Sequence, residues 1–139
     1  MSRRVPTRKI FVNAAATTIS AGFRVSDFRT GVISIIGSPT ANMTVFVKGS
    51  LGTGDTGETS PDFTVTRSNR EATNNAWDFI EVVDLEDGSL LDGDEGISLS
   101  ANRVRLVELN TNHLDWVAIH ATAIVAGTVT IVGSFVTNE

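Results

Sequence analysis

Over residues 116–125, WVAIHATAIV, the odd positions are Val117, Ile119, Ala121, Ala123 and Val125, all apolar. The even positions, Trp116, Ala118, His120, Thr122 and Ile124, are mixed. Side chains alternate between the two faces of a strand, so this period predicts a strand with its odd face toward a core. Residues 128–136, TVTIVGSFV, repeat the pattern with Val129, Ile131, Gly133 and Phe135. A two-residue turn at Ala126-Gly127 would set the two apolar sets on opposite faces. A three-residue loop, Val125-Ala126-Gly127, aligns them and places Gly127 at the left-handed position that such loops require. The pattern thus predicts a hairpin with Gly133 opposite Ile119 and Phe135 opposite Val117. His120 falls on its outer face, beside Thr122 and Thr130.

The same chemistry recurs along the chain. GVISIIG (31–37), MTVFVKG (43–49), FTVTR (63–67), WDFIEVVDL (77–85), GISLS (96–100) and VRLVELN (104–110) are rich in Val, Ile, Thr and aromatics. Gly, Pro, Asn, Asp and Ser separate them, as turns demand. RKIFVN (8–13) and FRVSDF (23–28) are weaker strands. No segment carries an apolar period of 3.6, so the prediction is all-β, with eight to ten short strands. TVFVKGS (44–50) and TVTIVGS (128–134) look alike, but two copies of strand-then-turn chemistry do not make a repeat. The β domain is assigned to 21–139, and 1–20 to an extended N-terminal arm with a short strand at its end.

A chain of 139 residues fits one domain and can bury a core without metal or disulfide staples. It has no cysteine, which excludes disulfides, thiolate zinc sites and thiol catalysis and suits a reducing cytoplasm. No apolar run approaches the ~20 residues of a membrane span, so no membrane partner is expected. The arm superficially mimics a signal peptide, yet Asn13, Thr17 and Thr18 interrupt its apolar part, and export is not expected. The net charge of −5 is unevenly spread. Residues 1–30 hold six basic residues against Asp27 alone, while 51–100 hold twelve acids against Arg67 and Arg70. This argues against a nucleic-acid-binding body and leaves the basic arm to be explained. Arg3, Arg4, Arg8 and Lys9 are its candidates for contact with a neighbouring subunit.

Few residues offer catalytic chemistry. His113-Leu114-Asp115 suggests a hydrolase dyad, but no G-x-S-x-G elbow accompanies it, and adjacent His and Asp suit a solvated turn. His120 reads as a surface or interface residue rather than a ligand or base. The acidic run DLEDGSLLDGDEG (84–96) has the hard oxygen donors that calcium prefers, without EF-hand spacing; its Asp-Gly pairs suit tight turns. LGTGDTGET (51–59) lacks the G-K-S/T of a phosphate loop and reads as a hairpin tip. Trp77 and Trp116 each head a strand, where they close a core or an interface more readily than they form a sugar platform. No enzyme activity, cofactor or metal is expected.

GISLSANRVRLVELNTNHLDWVAIHATAIVAGTVTIVG (96–133), with TVFVKGS and WDFIEVVDL, resembles the small decoration or cement proteins of tailed-bacteriophage capsids. The resemblance covers residues 22–136. It rests on V-R-L-x-E-L-N, on the L-x-W that opens a strand, and on the A-G-T-V-T-I-x-G ending. It implies a β-sandwich of jelly-roll type, a homotrimer, and a seat on the outside of a capsid assembled in the host cytoplasm. The implied partner is the major capsid protein, with no direct contact to nucleic acid. Such proteins grip capsids through variable loops and arms, so the family supplies no residue motif to carry over. Trp116 and His120, on the more polar face of their strand, join the arm as candidate contacts. The alternative is a glycan- or host-binding module of a head or tail fibre, built on Trp77, Trp116 and the 51–62 loop.

Overall fold

A computed structural model of the chain describes residues 8–14, 18–19, 23–51 and 77–137. They form strands and, among the described residues, no helix. The strands are β1 (Arg8–Ala14), β2 (Thr18–Ile19), β3 (Phe23–Arg24), β4 (Phe28–Gly37), β5 (Asn42–Ser50) and β6 (Asp78–Phe79). There follow β7 (Val82–Asp84), β8 (Leu90–Leu91), β9 (Ile97–Leu99), β10 (Val104–Asn110), β11 (Trp116–Ala126) and β12 (Val129–Thr137). Sheet A runs β1-β12-β4-β10-β7-β8. Sheet B runs β2-β11-β5-β6, with β3 also on β11 and β9 also on β5. The pairings are antiparallel, and the predicted β-sandwich is the fold.

The chain changes sheet at eight of the eleven steps between consecutive strands. β12 lies between β1 and β4, and β11 lies between β2 and β5, so neighbours in space are distant in sequence. Four strand positions, β1-β12-β4-β10, thus face four others, β2/β3-β11-β5-β6/β9. This is jelly-roll connectivity, and β7 and β8 widen sheet A beyond it.

The hairpin predicted for 116–136 does not form. β11 and β12 are consecutive but unpaired. β11 pairs with β5, Ile119 opposite Val47, while β12 pairs with β4, Gly133 opposite Ile33 and Phe135 opposite Gly31. Alternation tells which side chains share a face; it does not tell which sheet a strand joins. Val117, Ile119 and Ala121 face the same core as Val129, Ile131 and Phe135, but from the opposite wall. Thr130 is therefore in the other sheet from His120. Gly127 does take the left-handed conformation, with φ +77, at the crossing between sheets. A Cβ there would stand 2.6 Å from the Ala41 backbone, so the crossing needs glycine for space as well as for φ.

The core between the sheets is apolar and continuous. Ile33 and Ile35 of β4 and Val107 and Leu109 of β10 meet Val45, Val47 and Ile119 of sheet B, all buried. Phe135 stacks on Phe28 at 5.3 Å and meets Phe23 edge-on at 5.7 Å, closing one end. Each such side chain contributes about 1.5–3 kcal/mol of transfer free energy.

WDFIEVVDL is two strands rather than one. Asp78–Phe79 pairs with β5 in sheet B, and Val82–Asp84 pairs with β10 in sheet A. Ile80 N–H still donates to Val47 O at 3.0 Å before the chain crosses. Residues 8–14 and 18–19, placed in the arm from sequence, are strands of the sandwich: β1 pairs with β12 and β2 with β11. FTVTR (63–67) and the glycine-rich 52–59 lie outside the described residues.

Candidate functional site

The even positions of β11 and β5 form the outer face of sheet B. Cross-strand pairing sets Trp116 beside Ser50, Ala118 beside Lys48 and His120 beside Phe46. Phe79 of β6 stands beside Lys48. The sequence reading puts His120 on the face away from the core, and the structure agrees. That face is nevertheless buried: His120 is 3% exposed, Trp116 8% and Lys48 0%. Trp77, Trp116 and Ala118 make a second apolar cluster there. Neither Trp116 nor His120 presents its ring at the surface, as a contact to a capsid or neighbouring subunit would require. Alternation alone could not show this, because the mixed polar character of the even positions looks like a solvated face.

The electrostatics of this patch follow from its burial. The Lys48 ammonium lies 5.1 Å from the Phe79 ring centre, a cation–π distance. Burial lowers its pKa to about 8. His120 has no hydrogen-bond partner at either ring nitrogen, and its ring centre is 6.4 Å from that of Phe46. Burial, and then the nearby Lys48 charge, lower its pKa to about 4. His120 is thus a neutral imidazole at physiological pH. At the end of the patch the Arg24 guanidinium lies 5.1 Å over the Trp116 ring.

The acidic run is built into turns. Asp84 Oδ1 accepts from Glu86 N–H at 3.0 Å, Asp87 Oδ1 from Ser89 N–H at 2.9 Å, and Asp92 Oδ1 from Asp94 N–H at 2.9 Å. These are Asx turns, in which the carboxylate caps its own loop. Asp84 Oδ2 also receives Arg105 Nη2 at 2.7 Å in a mostly buried ion pair. The Glu86 amide, with help from Arg105, holds the Asp84 carboxyl below the usual range against its burial. Among the described residues no three His, Asp or Glu groups gather as a metal site would need.

His113 also belongs to a turn. It takes φ +75, and the flanking Asp115 N–H donates to Ser50 O at 3.1 Å. The His-Leu-Asp run therefore ties β10 to β11. Arg8 and Lys9 begin β1 at the edge of sheet A, opposite Gly133 and Val132. Arg3 and Arg4 lie outside the described residues.

The outer face of sheet A is partly exposed. It carries Val132 and Ser134 of β12, Val32, Ser34 and Ile36 of β4, and Val104 and Leu106 of β10. Val104 is 54% exposed and Leu106 46%. A shallow cavity of about 410 Å³ lies here, between Val132, Ser34 and Leu106. Sequence reasoning passed over this surface because Ser and Thr interrupt its apolar residues.

A search of solved structures finds the crystal structure of SPBc2 prophage-derived protein YomS. It superposes with a TM-score of 0.64 at 16% identity, over 99% of this chain and 96% of that one. At that identity the likeness shows a shared fold. No family model matches the chain, and no curated protein matches it.

Proposed function

We propose that this chain is a structural protein of a phage virion, which binds the outside of the capsid and cements neighbouring major capsid subunits. The observation that carries this reading is the end-to-end likeness to a prophage-derived protein, 99% of one chain on 96% of the other. The two chains share a fold over that span. The resemblance of 96–133 to capsid decoration proteins narrows the phage reading to the capsid.

The chemistry supports binding rather than turnover. The acidic run closes its own turns, the buried His120 has no hydrogen-bond partner at either ring nitrogen, and a Val/Ser/Thr/Leu sheet face is partly exposed. Cementing needs no reacting group. A protein that binds the assembled shell and not its separated subunits stabilises the shell by mass action, and many copies multiply the effect. Arg3, Arg4, Arg8 and Lys9 would anchor the domain on acidic capsid surface, in a contact weakened by salt. The fibre-module alternative needs Trp77 and Trp116 as exposed stacking rings, and both are buried.

The test compares phage particles that lack the protein with the same particles after purified protein is added back. Particles without it assemble but release DNA at lower temperature, and add-back restores the profile. Identical release profiles in the two samples would sink the cementing role.

A further inference from the structure

The outer face of sheet A departs from the rest of the surface in charge. Along β12, β4 and β10 the outward positions alternate Thr, Val, Ser, Ile and Leu, and among the described side chains Glu108 is the one charge. The chain as a whole carries 27 Asp, Glu, Lys and Arg residues, from 16 acidic and 11 basic, so a single charge among the described outward side chains of β12, β4 and β10 is a marked depletion. Ile36, Val104 and Leu106 are exposed there, and Leu85 and Leu90 extend the apolar surface beyond β10. Contiguous exposed apolar surface of this kind marks an association site.

The size of the face limits what can cover it. The five strands β1, β12, β4, β10 and β7, about 4.8 Å apart and about 24 Å long on average, give roughly 570 Å² in projection. Two such faces in contact remove about 1,000 Å² or more from water, the lower bound of a specific interface. Its described outward side chains carry one charge, Glu108, so a second copy of the face meets little charge repulsion.

We propose that this face is the interface of a two-fold homodimer, with β4 packed against the partner's β4. In such a contact the same patch serves both subunits. A two-fold axis along β4 carries each β12 over the partner's β10, because both flank β4. The register then fixes the pairs. Val132 and Leu106 both align with Ser34, so Val132 meets the partner's Leu106. Ser134 and Glu108 both align with Val32, so the lone carboxylate faces a serine rather than a second carboxylate. Arg103 and Glu86, an exposed ion pair at 2.8 Å, lie at the rim, where polar groups belong. The pairing goes beyond the capsid reading and is independent of it. For the free protein it replaces the threefold association that the resemblance implies.

The test is the mass of the full chain in solution, by light scattering on a sizing column at tens of micromolar. The wild type elutes at twice the monomer mass. Leu106→Glu, at an exposed strand position, and Val132→Lys, at a half-buried one facing outward, give folded monomers by circular dichroism. The double variant Leu106→Glu/Val132→Lys regains the dimer, since each new carboxylate then faces the partner's new ammonium. Val125→Glu, exposed but off this face, leaves the dimer intact. A monomeric or trimeric wild type, or a double variant that stays monomeric while both single variants dissociate, would overturn the proposal. So would single variants that remain dimers.

Discussion

Lowering the pH should cost this protein stability through one residue, His120. The imidazole is 3% exposed and neither nitrogen has a hydrogen-bond partner. Its pKa is lowered from 6.5 to about 4 on folding. A group with a lowered folded pKa binds fewer protons in the native state than in the unfolded one. For a histidine the stability is therefore full above the unfolded value of 6.5, falls as the pH drops toward about 4, and is flat below that. Each pH unit in that window is worth up to about 1.4 kcal/mol, so the step from pH 7 to pH 5 removes about 2 kcal/mol, allowing for partial titration at the upper end. Asp84, whose carboxyl is held below 3.8, adds a loss only at more acid pH. The assay is urea unfolding at pH 7, 6 and 5, followed by fluorescence of the two tryptophans, both buried. His120→Phe, similar in shape and unable to titrate, should flatten the profile over this range. The reasoning fails if the wild type is equally stable at pH 7 and pH 5, or if His120→Phe keeps the same slope.

Three other substitutions test the packing. Gly31 lies under the Phe135 ring, and a Cβ there would collide with it, so Gly31→Ala should lose about 1–3 kcal/mol in urea melts. Arg105→Met leaves the buried Asp84 carboxylate without its guanidinium and should cost about 3 kcal/mol, whereas Asp84→Asn/Arg105→Met should cost less than that single change. His113 holds φ +75, which a side chain disfavours, so His113→Gly should raise stability by up to about 1 kcal/mol, read as a higher urea midpoint.

How much of this was legible in the sequence depends on what alternation encodes. The strands were legible because Val, Ile and Thr at every second position admit little else: β10 begins and ends where VRLVELN does, and β11 and β12 differ from their predicted bounds by one residue. Most of the core set was legible for the same reason, but Val125, placed on the core face by alternation, is 77% exposed, and Ile124 packs on the core instead, past a register shift between Thr122 and Ala126. The partners of those strands were not. A hairpin and a crossing between sheets need the same alternation and the same left-handed Gly127, and only the long-range pairing of β11 with β5 and β12 with β4 distinguishes them. The outer face of sheet B was misread as solvated because Lys48 and His120 are polar, although Phe46, Phe79 and the two tryptophans around them signal burial. β2 and β8, two residues each, are too short to carry a period. The acidic turns were legible through their Asp-Gly pairs. The neutral face of sheet A became visible only once β12, β4 and β10 stood side by side, since no one of the three strands is unusual alone.

The most direct test of the virion reading is the number of copies per particle. Purified virions of a phage that encodes this chain, analysed by quantitative mass spectrometry against the major capsid protein, should contain it in the hundreds, in a fixed ratio to the shell. A few copies per particle would point to a fibre or vertex component, and its absence from purified virions would contradict the account.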